Sequence, residues 1–205
     1  MRRSQRGFTL VEVVIALTIV ATLLTVVFGA LRVGVTAWQK GDERARALEQ
    51  SRSITQVITR ALGAAYPYQT SRIGREGARL LFEGEPERVA FVTAAPPLPS
   101  AEPIAFTAVT LSQAAASAPG LAVTQKALPN EKPFDPALAP SLVDGAVTSA
   151  RFRFLNGPSG EWTDRWDAAH EKALPAAVEV TLTMLQAGRA IQQPPLVISI
   201  PVTGP

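Results

Sequence analysis

The chain predicts an α+β fold in which a long N-terminal α-helix packs on a β-rich globular head, and three observations carry that expectation. All 17 prolines lie at or after Pro67, so the first third of the chain is free of the strongest helix breaker. An apolar run of about two dozen residues, Phe8 to Leu31, opens it with Glu12 as its only charge, which is membrane length. Past Pro67 the hydrophobic period drops from helical to alternating.

The elements follow in order. Residues 1–7 are a short basic leader, Arg2-Arg3-Ser4-Gln5-Arg6-Gly7 after the initial Met. Its arginines hold it on the cytoplasmic side under the positive-inside rule and send the rest across the membrane. Residues 8–31 form the spanning helix, about 36 Å long at 1.5 Å per residue against a hydrocarbon core of about 30 Å. Glu12 then lies about one turn inside the cytoplasmic face. An ionised side chain at mid-bilayer costs at least roughly 2.5 kcal/mol on insertion scales, so this carboxylate calls for a partner or a function, and no basic residue inside the run supplies one.

Residues 32–66 continue the helix as an amphipathic segment. Ile54, Val57, Ile58, Ala61 and Leu62 recur at helical spacing, while Asp42, Glu43, Arg44, Arg46, Glu49 and Arg52 occupy the other face, with Asp42 and Arg46 a favourable i, i+4 pair. Gly63 and Pro67 mark its end. Gly29, Gly34 and Gly41 weaken the helix by roughly 1 kcal/mol each relative to alanine, and are read either as points of local melting or bending or as tolerated glycines.

Residues 67–205 form the head. Val178, Val180, Leu182 and Met184 alternate with polar residues, and Leu196, Ile198, Ile200 and Val202 share the same period. Further strands are expected at 79–82, 88–93, 104–111, 121–125, 147–155 and 161–166. Turns are expected at Glu83-Gly84 and Asn156-Gly157, and Pro201 is expected at an edge or strand end. Alanine- and proline-rich loops surround the weaker strands at about 94–140.

Gly7-Phe8-Thr9-Leu10-Val11-Glu12, between a basic leader and a membrane-length run, resembles the type IV pilin-like (class III) signal. The resemblance implies that a prepilin peptidase cuts after Gly7 and methylates the new N-terminal Phe8, and that Glu12 answers a neighbouring subunit's α-amino group during assembly. A conventional secretory signal has a shorter apolar core, cut behind it at small residues. An uncleaved signal anchor explains the length and the basic flank but leaves Glu12 an accident.

Composition excludes several function classes. The 20 Lys and Arg outnumber the 17 Asp and Glu, but loss of Arg2, Arg3 and Arg6 with the leader leaves 17 against 17. The mature chain is formally neutral, and no stretch interleaves basic and aromatic residues, so no nucleic-acid binding is expected. The absence of cysteine removes disulfides and thiolate metal sites. Glu83, Glu85 and Glu87 read as a solvated turn, since calcium needs six to eight convergent oxygens. His170, the single histidine, has Asp167 and Glu171 nearby but no serine placed against it by any motif, and reads as a surface residue. No catalysis, cofactor or metal is expected. Trp162 and Trp166 would share one strand face, as core or sheet edge, with a partner surface as the second reading. Phe152 and Phe154 read as core.

Leu142-Val143-Asp144-Gly145-Ala146-Val147, Arg151-Phe152-Arg153-Phe154-Leu155, Gly160-Glu161-Trp162, Trp166 and Leu174-Pro175-Ala176-Ala177-Val178-Glu179-Val180 are similar to the corresponding run of minor pseudopilin J of the type II secretion system. That resemblance implies a pilin-like fold and a single-pass inner-membrane protein with a cytoplasmic N-terminus and a periplasmic head. It also implies assembly with minor pseudopilins I and K at the tip of the periplasmic pseudopilus, which drives folded proteins across the outer membrane. Other pseudopilins, the prepilin peptidase and the inner-membrane assembly platform are the remaining implied partners. Pseudopilin K chains are larger and usually lack the glutamate, while G, H and I chains tend to be shorter. A minor pilin of a type IV pilus and a membrane-anchored periplasmic enzyme or sensor are the alternatives.

Overall fold

The computed structural model describes residues 9–70, 79–99, 105–114, 119–186 and 188–201. They fall into two compact units, Met1–Arg46 and Ala47–Pro205. Helix α1 (Leu10–Gly63) is unbroken through 54 residues and passes Gly29, Gly34 and Gly41 without interruption.

In the first unit every residue from Thr9 to Gln39 is exposed. Leu10–Gln39 is long and apolar enough to cross a membrane. This segment outlasts the apolar run expected to close at Leu31, because Arg32 is a lone charge followed by Val33, Val35 and Trp38. The hydroxyls of Thr18, Thr22 and Thr25 donate to the carbonyls of Val14, Thr18 and Ala21 at 2.7, 2.7 and 2.8 Å. The backbone four residues upstream thus satisfies a group that lipid cannot.

The second unit begins with the last turns of α1. Ile54, Ile58, Ala61 and Leu62 are buried there at the expected spacing, and Val57 is half-buried. Full burial of an isoleucine or leucine contributes about 1.5–3 kcal/mol, so these residues secure the end of the helix to the head. The chain leaving α1 is stitched to the strand Arg88–Thr93: Tyr66 N–H donates to Val92 O at 2.8 Å and Thr93 Oγ1 donates to Ala64 O at 3.2 Å.

The strands are β1 (Gln69–Thr70), β2 (Arg79–Leu80), β3 (Phe82–Glu85), β4 (Arg88–Thr93), β5 (Thr107–Gln113), β6 (Leu121–Ala127), β7 (Leu142–Asp144), β8 (Val147–Leu155), β9 (Trp162–Thr163) and β10 (Trp166–Asp167). A single helical turn, α2 (Ala168–Glu171), precedes β11 (Ala177–Gln186), β12 (Arg189–Gln192) and β13 (Leu196–Ser199). An antiparallel six-stranded sheet runs β10-β3-β4-β5-β6-β7, and a second runs β12-β11-β8-β9 with β13 also paired to β11. Strand β8 lies against β3, β4, β5 and β6. Phe82 and Phe154 meet edge to face between the sheets, centroids 6.0 Å apart at 89°, a favoured aromatic geometry.

Two expectations need correction. Glu83-Gly84 is not a turn: both residues lie inside β3, and the turn falls at Pro86-Glu87. Glycine stands at 84 because the Phe154 ring covers it, not because the backbone reverses there. Residues 161–166 are not one strand either. Trp162 pairs with Leu155 of β8 and Trp166 with Gly84 of β3, so the chain changes sheets between them. Thr163 Oγ1 closes that bend, its one proton shared between two acceptors, Arg165 O at 3.0 Å and Phe154 O at 3.3 Å.

Within the alanine- and proline-rich stretch, β5 and β6 are interior strands of the larger sheet. Gln125 fastens the loop before them: Leu98 N–H donates to its Oε1 at 3.1 Å and its Nε2 donates to Leu98 O at 3.2 Å. Residues 115–118 of that stretch, with Ile104 and Val202 at ends of expected strands, lie outside the described residues.

Because the head holds its own core, a chain beginning at Val33 is expected to be soluble, monomeric and folded, with mixed helix and strand signals in circular dichroism. An unfolded or aggregated product would show that the division at this point is wrong.

Candidate functional site

The site the sequence singles out is the start of α1. Gly7 and Phe8 lie outside the described residues; Thr9, Leu10, Val11 and Glu12 lie within them. Thr9 stands at the N-cap. Its carbonyl accepts from the N–H groups of Glu12 and Val13 at 3.1 and 3.3 Å, and its Oγ1 also accepts from Glu12 N–H at 3.3 Å. A helix leaves its first N–H groups without intrahelical acceptors, and a capping threonine satisfies one of them.

Glu12 sits three residues after the cap, the spacing of a capping box, where a carboxylate also meets the positive end of the helix dipole. It is exposed, as are Leu10, Val11, Val13 and Ile15 around it. The arrangement places a carboxylate one turn from the start of an otherwise apolar helical stretch, Leu10 to Leu31. Sequence reasoning passed over Thr9, although Thr-x-x-Glu before an apolar run is a legible signal of a helix start.

The two tryptophans do not form one surface. Trp166 is buried at 6 % exposure, and its Nε1 donates to Ala173 O at 3.0 Å. Buried indole N–H groups need such a partner. Trp162 is half-buried on β9, at the end of the second sheet's strand order. Beside it, Arg153 pairs with Asp164 at 3.3 Å and Glu179 at 3.8 Å.

The remaining candidates are dispersed. His170 is exposed on α2. Glu83 holds Arg79 and Arg88 at 3.3 Å each, while Glu85 and Glu87 are exposed. Phe152 and Phe154 are fully buried, as expected of core residues.

Comparison with known proteins agrees with this layout. Residues 2–28 match the prokaryotic N-terminal methylation motif. Residues 29–193 match the model of type II secretion system (T2SS) protein J. Type II secretion system protein J of Xanthomonas campestris pv. campestris is 29% identical over 210 residues, covering 100% of this chain and 97% of that protein. With a family model spanning most of its length and a methylation motif over the apolar helix, the chain belongs to the type II secretion system protein J family, the J-type minor pseudopilins.

Proposed function

We propose that the chain is processed after Gly7 and methylated at Phe8, and that it then acts without catalysis at the tip of the pseudopilus beside minor pseudopilins I and K. Residues 1–7 are the leader, 8–31 the core of the membrane segment, 32–66 the amphipathic continuation and 67–205 the head. The N-terminus faces the cytoplasm and the head the periplasm. The prepilin peptidase and the inner-membrane assembly platform act on the chain before it joins other pseudopilins.

The observation that carries this reading is the Thr9-capped helix start, which places Glu12 one turn into an exposed apolar helix directly after Gly7-Phe8. An α-amino group created at Phe8 gives a neighbouring subunit's carboxylate a cation at similar depth. Pairing the two relieves a membrane penalty and fixes axial register. Trp162, half-exposed at a sheet edge, is the tryptophan suited to a partner contact on pseudopilin K; Trp166 supports the head from inside.

The test is mass spectrometry of the mature chain together with crosslinking from Trp162 to pseudopilins I and K in membranes. A methylated N-terminal phenylalanine and specific crosslinks are expected. Gly7→Val should block the cut, leaving the Arg2 leader on the protein. An intact leader on the unaltered chain, from a host with an active prepilin peptidase, would rule out the processing step.

A further inference from the structure

We infer that Arg32 and Trp38 form a headgroup anchor, binding the phospholipid phosphate and interfacial layer at the membrane face opposite Glu12. The inference rests on the membrane-anchored reading of α1. Between Glu12 and Lys40 the only charged residue is Arg32. Twenty residues of unbroken helix separate Glu12 from Arg32, about 30 Å at 1.5 Å per residue, which is the thickness of the hydrocarbon core. Seated with Glu12 at the inner edge of the core, a turn farther out than the span Phe8–Leu31 alone implies, the helix puts Arg32 at the opposite edge, where its long side chain extends to phosphate.

Trp38 lies about 9 Å farther along the axis. It is 83 % exposed, a poor state in water for so large an apolar ring. Mid-bilayer would suit it no better, because its N–H needs an acceptor. Side chains on a helix lean toward its N-terminus, which brings the indole back toward Arg32 and into the headgroup layer, where tryptophan is enriched. Just beyond it come Lys40, Asp42, Glu43, Arg44 and Arg46, a density of charge that belongs to water.

Angular position selects lipid over protein as the occupant. Six residues at 3.6 per turn place Arg32 and Trp38 about 120° apart around the helix. One packed neighbour cannot cover both faces, whereas a headgroup layer surrounds the whole rod.

The chain has no cysteine, so single-cysteine variants report without background. Spin labels at Leu23→Cys, Gln39→Cys and Ala45→Cys, in the full chain reconstituted in phosphatidylethanolamine–phosphatidylglycerol vesicles, give depth from accessibility to oxygen and to a water-soluble nickel chelate. The Leu23 label should lie in hydrocarbon, the Ala45 label in water and the Gln39 label in the headgroup layer. Adding Trp38→Ala should move the Gln39 label outward by about a helical turn, ~5 Å, and adding Arg32→Leu should move it as well.

A Gln39 label as accessible to the chelate as the Ala45 label would overturn the anchor, as would a depth unchanged by both substitutions. A label shielded from both reagents would replace lipid with a protein contact. If the chain does not float with the vesicles at all, the membrane-anchored reading itself fails. Flotation with a water-exposed Gln39 label defeats only the anchor.

Discussion

Gly84→Ala is expected to destabilise the head by about 3 kcal/mol, the upper part of the range for forcing extra atoms into a packed core. A Cβ at that position would overlap Cζ of Phe154 and lie 2.6 and 2.7 Å from its two Cε atoms, well inside the contact distance of two carbons. The ring has no room to withdraw. Phe154 is fully buried and edge-on to Phe82, and Gly84 is itself held between β4 and β10 through its pairing with Val89 and Trp166. In the chain beginning at Val33, urea denaturation should show the loss as a lower midpoint. Thermal unfolding should fall by roughly 6–12 °C for a chain of this size. Combining Gly84→Ala with Phe154→Leu, which removes the offending ring edge, should recover part of the stability, so that the double variant is less damaged than the sum of the singles. A change below about 0.5 kcal/mol for Gly84→Ala would mean that the ring yields and that the interlock is not a constraint.

Glu12→Ala and Glu12→Gln are each expected to leave cleavage and membrane insertion nearly intact while sharply lowering crosslinking to pseudopilins I and K and lowering secretion. Losing one partner of an ion pair in a water-poor setting leaves the other charge uncompensated, and breaking buried pairs in this way costs about 3–5 kcal/mol. Glutamine keeps the shape and loses the charge, so similar behaviour of the two variants assigns the effect to charge. The helix start provides the control. Thr9→Ala removes the Oγ1 acceptor of Glu12 N–H at a cost of about 1 kcal/mol without touching the carboxylate. If Thr9→Ala disrupts assembly as strongly as Glu12→Ala, the glutamate matters through helix geometry. Unchanged crosslinking and secretion in both Glu12 variants would remove the register role and leave recognition by the assembly machinery.

What could be read in advance follows the range of the interactions. The long helix was legible because exclusion of proline and helical spacing are local properties, and Ile54, Ile58, Ala61 and Leu62 are buried as that spacing requires. Strands β4 and β8 have the expected bounds: 88–93 is a short β-forming run, buried from Val89 to Thr93, directly after a turn, and 150–155 alternates buried residues with more exposed ones. Strands β1, β7 and β12, of two to four residues, are too short to display a period. Gly84 was misread because a glycine beside glutamates carries the composition of a turn, while its actual constraint comes from a phenylalanine seventy residues away. The sheet change between Trp162 and Trp166 is equally a tertiary fact. At the assembly site, Glu12 stood out because a charge in an apolar run is anomalous in isolation. The cap at Thr9 did not, because threonine is ordinary anywhere.

The threonines of the apolar helix have a consequence for exchange between surroundings. With the hydroxyls of Thr18, Thr22 and Thr25 already committed to the helix's own carbonyls, the surface they present is methyl, in lipid or against a neighbouring subunit alike. Passage from one medium to the other breaks no hydrogen bond at these residues and demands none on arrival. The helix is thus close to indifferent to its solvent along its middle. On the assembly and anchor proposed above, its preference for bilayer or filament would be decided at its two ends, by Glu12 on one side and by Arg32 and Trp38 on the other.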